Sequence, residues 1–472
     1  MSVLLTHGYF IADDEKEQQI MRPYPPLGLL YISAFLNQQE IENKVFDSTF
    51  SDMQSLFEQI RTEKPKILAI YANLMTKLNV LEIAKVCKKL SPNTSVVMGG
   101  PDVTYNAENY LKNGADYIVI GEGENTMFEL VEHLQKHPEQ PPSDIAGLAY
   151  LNSGELTKTA PRTKVRDINE LPIPNREAID IQKYLDAWKS HHGQNALSVS
   201  TQRGCPYTCK WCSTAVYGQS YRRRSPAKVV EELKEIKERY NPDTIWFVDD
   251  VFTVSHKWLR EFVGALETEG VKIPFECISR ADRMNEEVIG LLKKAGCIRV
   301  WIGAESGSQK IIDAMDRRVS VDQVRNMIIE TRKQGIEAGT FIMLGYPGET
   351  EEDIEETINH LKISNPDHFT ITVAYPIKGT SLYDEIETKK TIEPEWHLST
   401  DRDIDFERTY SRKYYDYAVV RVISEVNHHK MKLKGKYGLQ FFKLGLKSLY
   451  AGTMMKWQQN GKKPLSLNRN SR

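Results

Sequence analysis

The sequence predicts an α/β protein: two successive parallel-sheet units followed by a mainly helical C-terminal region. Three observations predict this. Short apolar strands alternate with amphipathic helical stretches from the first residues to about 385, the pattern of βα repeats. The alternation breaks once, between 137 and 193, at proline-rich and turn-forming stretches. From about 400 the chain changes character, ending in a basic stretch with a dense apolar set within it.

In the first unit, 1–136, strands are expected at 3–5, 44–46, 67–71, 95–98 and 117–120, with helices such as 80–90 between them. Five strands alternating with helices imply a parallel, doubly wound sheet, whose ligands bind beyond the carboxyl ends of the strands. Glycines fall there: Gly99-Gly100-Pro101-Asp102 after the fourth strand and Gly121-Glu122-Gly123-Glu124 after the fifth. The connector, 137–193, holds a hairpin turn at 150–156 and an extended strap at Leu171-Pro172-Ile173-Pro174. In the second unit, 194–399, strands are expected at 197–201, 244–248, 275–279, 299–303, 339–344 and 369–373. Ser225 and Pro226 read as the cap and first residue of a helix running to 240. Six βα units suggest an open, partial (β/α)6 barrel with its chemistry at the C-terminal rim. The last region, 400–472, is helical, and its tip from 458 is polar.

With 62 Lys and Arg against 64 Asp and Glu, the net charge of −2 argues against bulk nucleic-acid binding. Six cysteines in 472 residues are too few for a disulfide scaffold. Cys87, Cys277 and Cys297 are isolated among apolar residues and read as small core residues. Neither a signal peptide nor a membrane span is visible, so a reducing cytoplasm is expected.

The other three cysteines lie within Arg203-Gly204-Cys205-Pro206-Tyr207-Thr208-Cys209-Lys210-Trp211-Cys212, just after the first barrel strand. Three thiolates on one loop can hold a 4Fe–4S cluster by three corners, leaving one iron open to a small molecule. Structural zinc normally takes a fourth protein ligand, and no partner follows at finger spacing.

This loop, placed after the first strand of a six-unit barrel, resembles the radical S-adenosylmethionine (radical SAM) superfamily. The resemblance makes Cys205, Cys209 and Cys212 the cluster ligands and catalytic centre, with Trp211 near the adenine of SAM. Members cleave SAM reductively to a 5′-deoxyadenosyl radical. Cys277-Ile278-Ser279-Arg280-Ala281-Asp282 is similar to the third-strand end, where Arg280 would meet the SAM carboxylate. Ile302-Gly303-Ala304-Glu305-Ser306 resembles the fourth-strand motif and implies SAM contacts by Glu305 and Ser306. The turn Gly345-Tyr346-Pro347-Gly348-Glu349-Thr350 looks like the fifth-strand turn, with Gly345 and Pro347 beside the adenosine and Thr350 capping the next helix. Asp249 and Asp250 end the second barrel strand without an assigned role, and Arg222-Arg223-Arg224 reads first as a solvated or structural run.

The first unit looks like the flavodoxin-like cobalamin-binding domain of cobalamin-dependent radical SAM enzymes, the group of methyltransferases and of the anaerobic magnesium-protoporphyrin cyclase. The implied cobalamin contacts are Leu27, Gly28, Gly99, Gly100, Pro101, Asp102, Val103, Thr104, Gly121, Glu122, Gly123 and Glu124. The Asp-x-His-x-x-Gly motif that supplies histidine to cobalt elsewhere is missing, and His7 is the nearest substitute. Methylthiotransferases carry three cysteines in their N-terminal domain, whereas only Cys87 lies in this one.

The resemblance implies three cofactors: a 4Fe–4S cluster, SAM and cobalamin. It implies methylation of an unactivated centre in a small-molecule or lipid-like substrate, with flavodoxin or ferredoxin as electron donor. A non-methylating cyclase or oxidoreductase is one alternative, and a non-enzymatic cobalamin or iron–sulfur carrier another. From His428 to Arg472 there are eleven Lys and Arg and no Asp or Glu, around a dense apolar set. That segment reads first as a helical cap on the barrel and second as a peripheral contact with an anionic membrane.

Overall fold

The computed structural model describes residues 2–213 and 218–460. Strands β1 (Val3–His7), β2 (Asn43–Val45), β3 (Ile67–Tyr71), β4 (Ser95–Gly99) and β5 (Tyr117–Val119) are parallel, in the order β2-β1-β3-β4-β5. Alternation divides their side chains between two cores. Leu4, Leu68, Ile70, Val96, Met98 and Ile118 pack on one face. Val3, Leu5, Ile67, Ala69, Val97 and Val119 pack on the other. A period of two with both faces apolar requires helices on both sides, which is the doubly wound arrangement.

The hairpin expected in the connector does more than turn the chain. This hairpin, β6 (Leu148–Asn152) and β7 (Glu155–Lys158), pairs antiparallel with β5, so the first sheet continues past residue 136. The new edge is a four-residue strand with Glu155 and Lys158 at its ends, which resists further pairing. The rest of the connector is a strap. The Asn175 amide donates to the Leu30 carbonyl at 3.0 Å, and Trp188 Nε1 donates to the Pro23 carbonyl at 2.7 Å. The Tyr184 hydroxyl lies 2.7 Å from Thr49 Oγ1 and 2.9 Å from Asp47 Oδ2.

The second sheet contains β8 (Ala196–Val199), β11 (Thr244–Phe247), β12 (Phe275–Ser279), β13 (Cys297–Glu305), β14 (Glu337–Leu344) and β15 (His368–Val373). All are parallel and paired in chain order, with β8 and β15 at the free edges, which makes the open six-unit barrel. Between β8 and β11 a small antiparallel ribbon, β9 (Gln202–Arg203) and β10 (Arg222–Arg223), brackets the cysteine loop. The helix Pro226–Arg239 starts as expected, the Ser225 side chain accepting from the Lys228 amide. Cys277 and Cys297 are buried in the barrel core and Cys87 in that of the first sheet.

Beyond β15 the chain crosses back to the first unit. Lys378 Nζ donates to Asn106 Oδ1 at 3.2 Å, and Trp396 packs edge-on against Tyr110 at 4.8 Å. The helices Arg412–Leu433 and Leu439–Asn460 then form an antiparallel pair: Phe441 stacks on His428, while Gln459 reaches Tyr414. Tyr414, Tyr415 and Val422 of the first helix and Met455 of the second enter the barrel core. From residue 461 the polar tip lies outside the described residues. No helix among the described residues is long and apolar enough to cross a membrane.

Candidate active site between the two sheets

A mainly apolar crevice of about 710 Å³, including its open mouth, lies beyond the carboxyl ends of β3, β4 and β5. Glycines make its walls. Gly100 has φ +124°, and a Cβ there would lie 2.2 Å from the Ala72 carbonyl oxygen, so only glycine fits. At Gly28 a Cβ would meet only the Tyr71 ring, at 4.0 Å. A side chain at that position would grow into the crevice, so the missing side chain leaves room for a large ligand.

Of the twelve residues expected at cobalamin, Gly28, Gly99, Gly100, Gly121, Glu122, Gly123 and Glu124 line this crevice. Leu27, Pro101, Asp102, Val103 and Thr104 do not. The helix Pro101–Lys112 begins right after Gly100 and carries its side chains away: Val103 is fully buried in the sheet core, and Asp102 accepts from Tyr110 and Asn106. The two glutamates on this wall are also paired with arginines. Glu124 forms a buried two-point pair with Arg203, Nη1 to Oε2 being 3.1 Å, and Glu122 pairs with Arg222. Their carboxylates thus clasp β9 and β10, the ribbon around the cysteine loop. Arg222 is accordingly a tether, Arg223 stacks 3.5 Å over Trp258, and Arg224 shares buried Glu232 with Arg176. His7 has no nitrogen to offer a metal: Nε2 lies 3.1 Å from Asp47, and Nδ1 accepts from the Tyr9 amide.

The cysteine loop leaves the ribbon at Gly204, where φ is +80° and a Cβ would fall 2.3 Å from the Ser220 carbonyl oxygen. Asp249 fixes the entry to the loop. It is buried and accepts from the Thr201 and Gln202 amides at 2.8 and 3.2 Å. Burial first, and with it the exposed carboxylate of the neighbouring Asp250, raise the pKa values of Cys205 and Cys212. Burial, then Asp250, Cys209, Cys205 and Glu305, push the Cys212 thiol up to about 12, although its surface is open to solvent. Among the described residues no three ligands converge as one metal ion requires.

Two buried arginines point at Cys209: Arg280 Nη1 lies 3.5 Å from its sulfur and Arg317 Nη1 lies 3.8 Å away. Two guanidiniums suit a sulfur that carries charge, as cluster-bound thiolate does. Arg280 is oriented by Asp282 at 2.9 Å, the Arg317 carbonyl at 2.7 Å and the Tyr207 ring at 3.9 Å. Arg317 also lies 3.5 Å from Glu305 and 5.6 Å over Trp211. Sequence reasoning misses Arg317, because Asp316-Arg317-Arg318 has the composition of a solvated turn. Left-handed φ values at both Asp316 and Arg318 bend that turn sharply around it.

Glu305 sits at an irregularity in the β13–β14 register with φ +64°, so the strand end is re-aimed and the carboxylate enters the site. Burial raises its pKa, against the opposing pull of Arg317 and Arg280. Ser306, expected beside it at SAM, faces away. It is fully buried, with its hydroxyl 3.2 Å from Thr357 and accepting from the Ser308 amide at 3.1 Å.

At the β14 turn the Gly345 amide donates to Glu349 Oε2 at 2.6 Å, and Thr350 and Asp353 form a reciprocal helix cap. Pro347 is half-buried at the bend. Burial pushes the Glu349 carboxyl up to about 8 from 4.5. The fold therefore prefers the neutral acid: this contribution to stability is complete below the unfolded value near 4.5 and is lost as pH rises through about 8. Urea unfolding across that window should show a decline on the order of 5 kcal/mol in the wild type, and Glu349→Gln should flatten it. Equal slopes for the two proteins would refute this.

Comparison with known proteins agrees with the geometry. The radical SAM superfamily profile matches residues 199–361, and the B12 binding domain profile matches 20–131. An uncharacterized methyltransferase of Pyrococcus horikoshii is 33% identical over 368 residues, covering 76% of this chain and 78% of its own. The chain belongs to the radical SAM superfamily. As a B12-domain radical SAM enzyme it uses a 4Fe–4S cluster, SAM and cobalamin. The anaerobic magnesium-protoporphyrin IX monomethyl ester cyclase of Cereibacter sphaeroides is 25% identical over 382 residues, 78% of this chain and 61% of its own. The structure of the radical SAM methyltransferase TsrM from Kitasatospora setae, with tryptophan and a SAM analogue, shares the fold. Its TM-score is 0.72 at 15% identity, over 98% of this chain and 100% of that one.

Proposed function

We propose that this enzyme is a cobalamin-dependent methyltransferase acting on an unactivated centre of a small or lipid-like molecule. One observation carries the reading: Arg203 lines the glycine crevice and stands two residues before Cys205. A tetrapyrrole in the crevice and a cluster on the cysteines would share that floor.

In this reading Cys205, Cys209 and Cys212 hold the cluster, and the glycines of the crevice admit the cobalamin. When bound, the cluster supplies the electron that cleaves SAM, and cobalamin carries the methyl group. The remaining work belongs to side chains. Arg280 offers its guanidinium to the SAM carboxylate, Glu305 receives the ammonium or ribose, and Trp211 with the Gly345–Pro347 turn flanks the adenosine. Asp249 and the two glutamate–arginine pairs hold the loop against the crevice, which positions the two cofactors' sites side by side. A small reduced protein of the flavodoxin or ferredoxin type would supply electrons.

The 33% identity to a protein named as a methyltransferase supports methyl transfer. The likeness to the cyclase favours a second reading, oxidative ring closure by the same radical. An anaerobic assay with methyl-labelled SAM separates the two. Label in a product together with S-adenosylhomocysteine is expected; 5′-deoxyadenosine alone would overturn methyl transfer. Arg317→Met is expected to keep the iron content while making the cluster's reduction potential more negative, because a cation beside a cluster sulfur is lost. Redox titration followed by electron paramagnetic resonance reads this, and an unchanged potential would remove Arg317 from the site.

A further inference from the structure

The helix Leu439–Asn460 is apolar on two sides, and only one is covered. Ala451 and Met455 are fully buried on its inner side, and Ser448 donates to Glu425 of the preceding helix at 3.1 Å. On the outer side Leu439, Phe442, Leu446, Leu449, Tyr450 and Trp457 are 59% to 71% exposed. At a helical turn of 3.6 residues these six fall within an arc of about 100°, the width of an apolar face that is normally covered. A row of large apolar side chains in the open marks an interaction surface.

We infer that this outer face docks on an anionic lipid surface. Charge identifies the occupant. Lys443 and Lys447 border the apolar arc on one side and Lys456 on the other, and all three are exposed. No acidic residue occurs between His428 and Arg472, against eleven basic ones. A second copy of the chain placed face to face would set one lysine border against another, whereas anionic headgroups neutralise both. Tyr450 and Trp457 are the aromatic types that settle at headgroup depth. A two-sided apolar helix flanked by lysines and unable to span lies in the plane of the interface. The helix ends near the barrel rim, since Gln459 Nε2 donates to Glu351, the first residue after the Gly345–Thr350 turn, at 3.0 Å. Docking would thus bring the mouth of the site toward the lipid. The docking itself does not depend on the proposed methyl transfer.

The test uses the full-length protein with vesicles of phosphatidylcholine alone or mixed with phosphatidylglycerol. Co-sedimentation is expected only with the anionic vesicles and should weaken as salt is added. Leu446→Glu with Leu449→Glu, and separately Lys443→Glu with Lys447→Glu, should each lower binding at least about tenfold. All four side chains are exposed, so melting temperature and visible spectrum should stay unchanged. Failure of the wild type to bind anionic vesicles would overturn the inference. So would a wild-type dimer in analytical ultracentrifugation that ignores vesicles and dissociates in the leucine variant, which would assign the face to a second copy.

Discussion

Replacing any one of Cys205, Cys209 or Cys212 by alanine is expected to remove the iron and the visible iron–sulfur absorption, with SAM cleavage falling to background. The effect should be this large because a three-cysteine loop has no spare ligand: with two thiolates the cube loses a corner and the site loses its metal. Folding should survive. The loop lies outside the barrel core, which is built from β8, β11–β15 and their helices without Cys205. Its backbone path is also set independently of metal, by Gly204, by Asp249 on the Thr201 and Gln202 amides, and by the Lys210 amide on the Met315 carbonyl at 3.2 Å. Iron assay, visible spectra and thermal unfolding of each variant check the prediction. Cys277→Ala is the contrast: it should keep its iron and lose about 1 kcal/mol of stability by leaving a small void in the core. A Cys209→Ala protein with full iron content would refute the assignment.

The second large effect is expected at Glu124. Glu124→Gln breaks the buried two-point ion pair with Arg203, and removing one partner of such a pair typically costs roughly 3–5 kcal/mol. Glu124 stands at the start of the helix Gly123–Lys136 on the crevice wall, and Arg203 precedes the cysteine loop by one residue. The loss should therefore appear in two readouts at once: weaker cobalamin binding by spectral titration and incomplete cluster loading. Exchanging the pair, Glu124→Arg with Arg203→Glu, should recover part of both, since the charges are restored in altered geometry. By contrast the exposed Glu132–Lys136 pair on the same helix is worth about 0.5 kcal/mol at most, and Glu132→Gln should be silent. Normal cobalamin affinity in Glu124→Gln would show that the pair merely decorates the junction.

Both predictions concern residues that the sequence brings to notice, but only the first has its role written there. Cysteine spacing is a local quantity, because ligands within one short loop reach a common centre whatever surrounds them. Strand positions are local too. Leu4 and Leu68 pack on one face and Val3 and Ile67 on the other because side chains alternate along every strand, so apolar runs announce a sheet covered on both sides. Gly100 could be read the same way, a glycine where the backbone must pass close to Ala72.

Side-chain partners between distant segments carried no such signal. Glu122 and Glu124 stand in a glycine-rich loop and invite assignment to a ligand, yet they close on arginines, with 79 residues separating Glu124 from Arg203. Ser306 lies next to Glu305 in the motif but faces the opposite way, since the backbone twists at the strand end and one residue's step reverses direction. Arg317 reaches Cys209 from 108 residues away, out of a turn whose composition suggests only solvent. The hairpin at β6 and β7 joined the first sheet because β5 offered an open edge, which no property of the hairpin itself discloses. Periodicity and ligand spacing act over a few bonds, so the amino-acid order alone determined the two sheets, the cysteine loop and the glycine crevice. Charge pairing and edge pairing act through space, so the clasp between crevice and cluster loop, and the cations around Cys209, were decided by the tertiary fold.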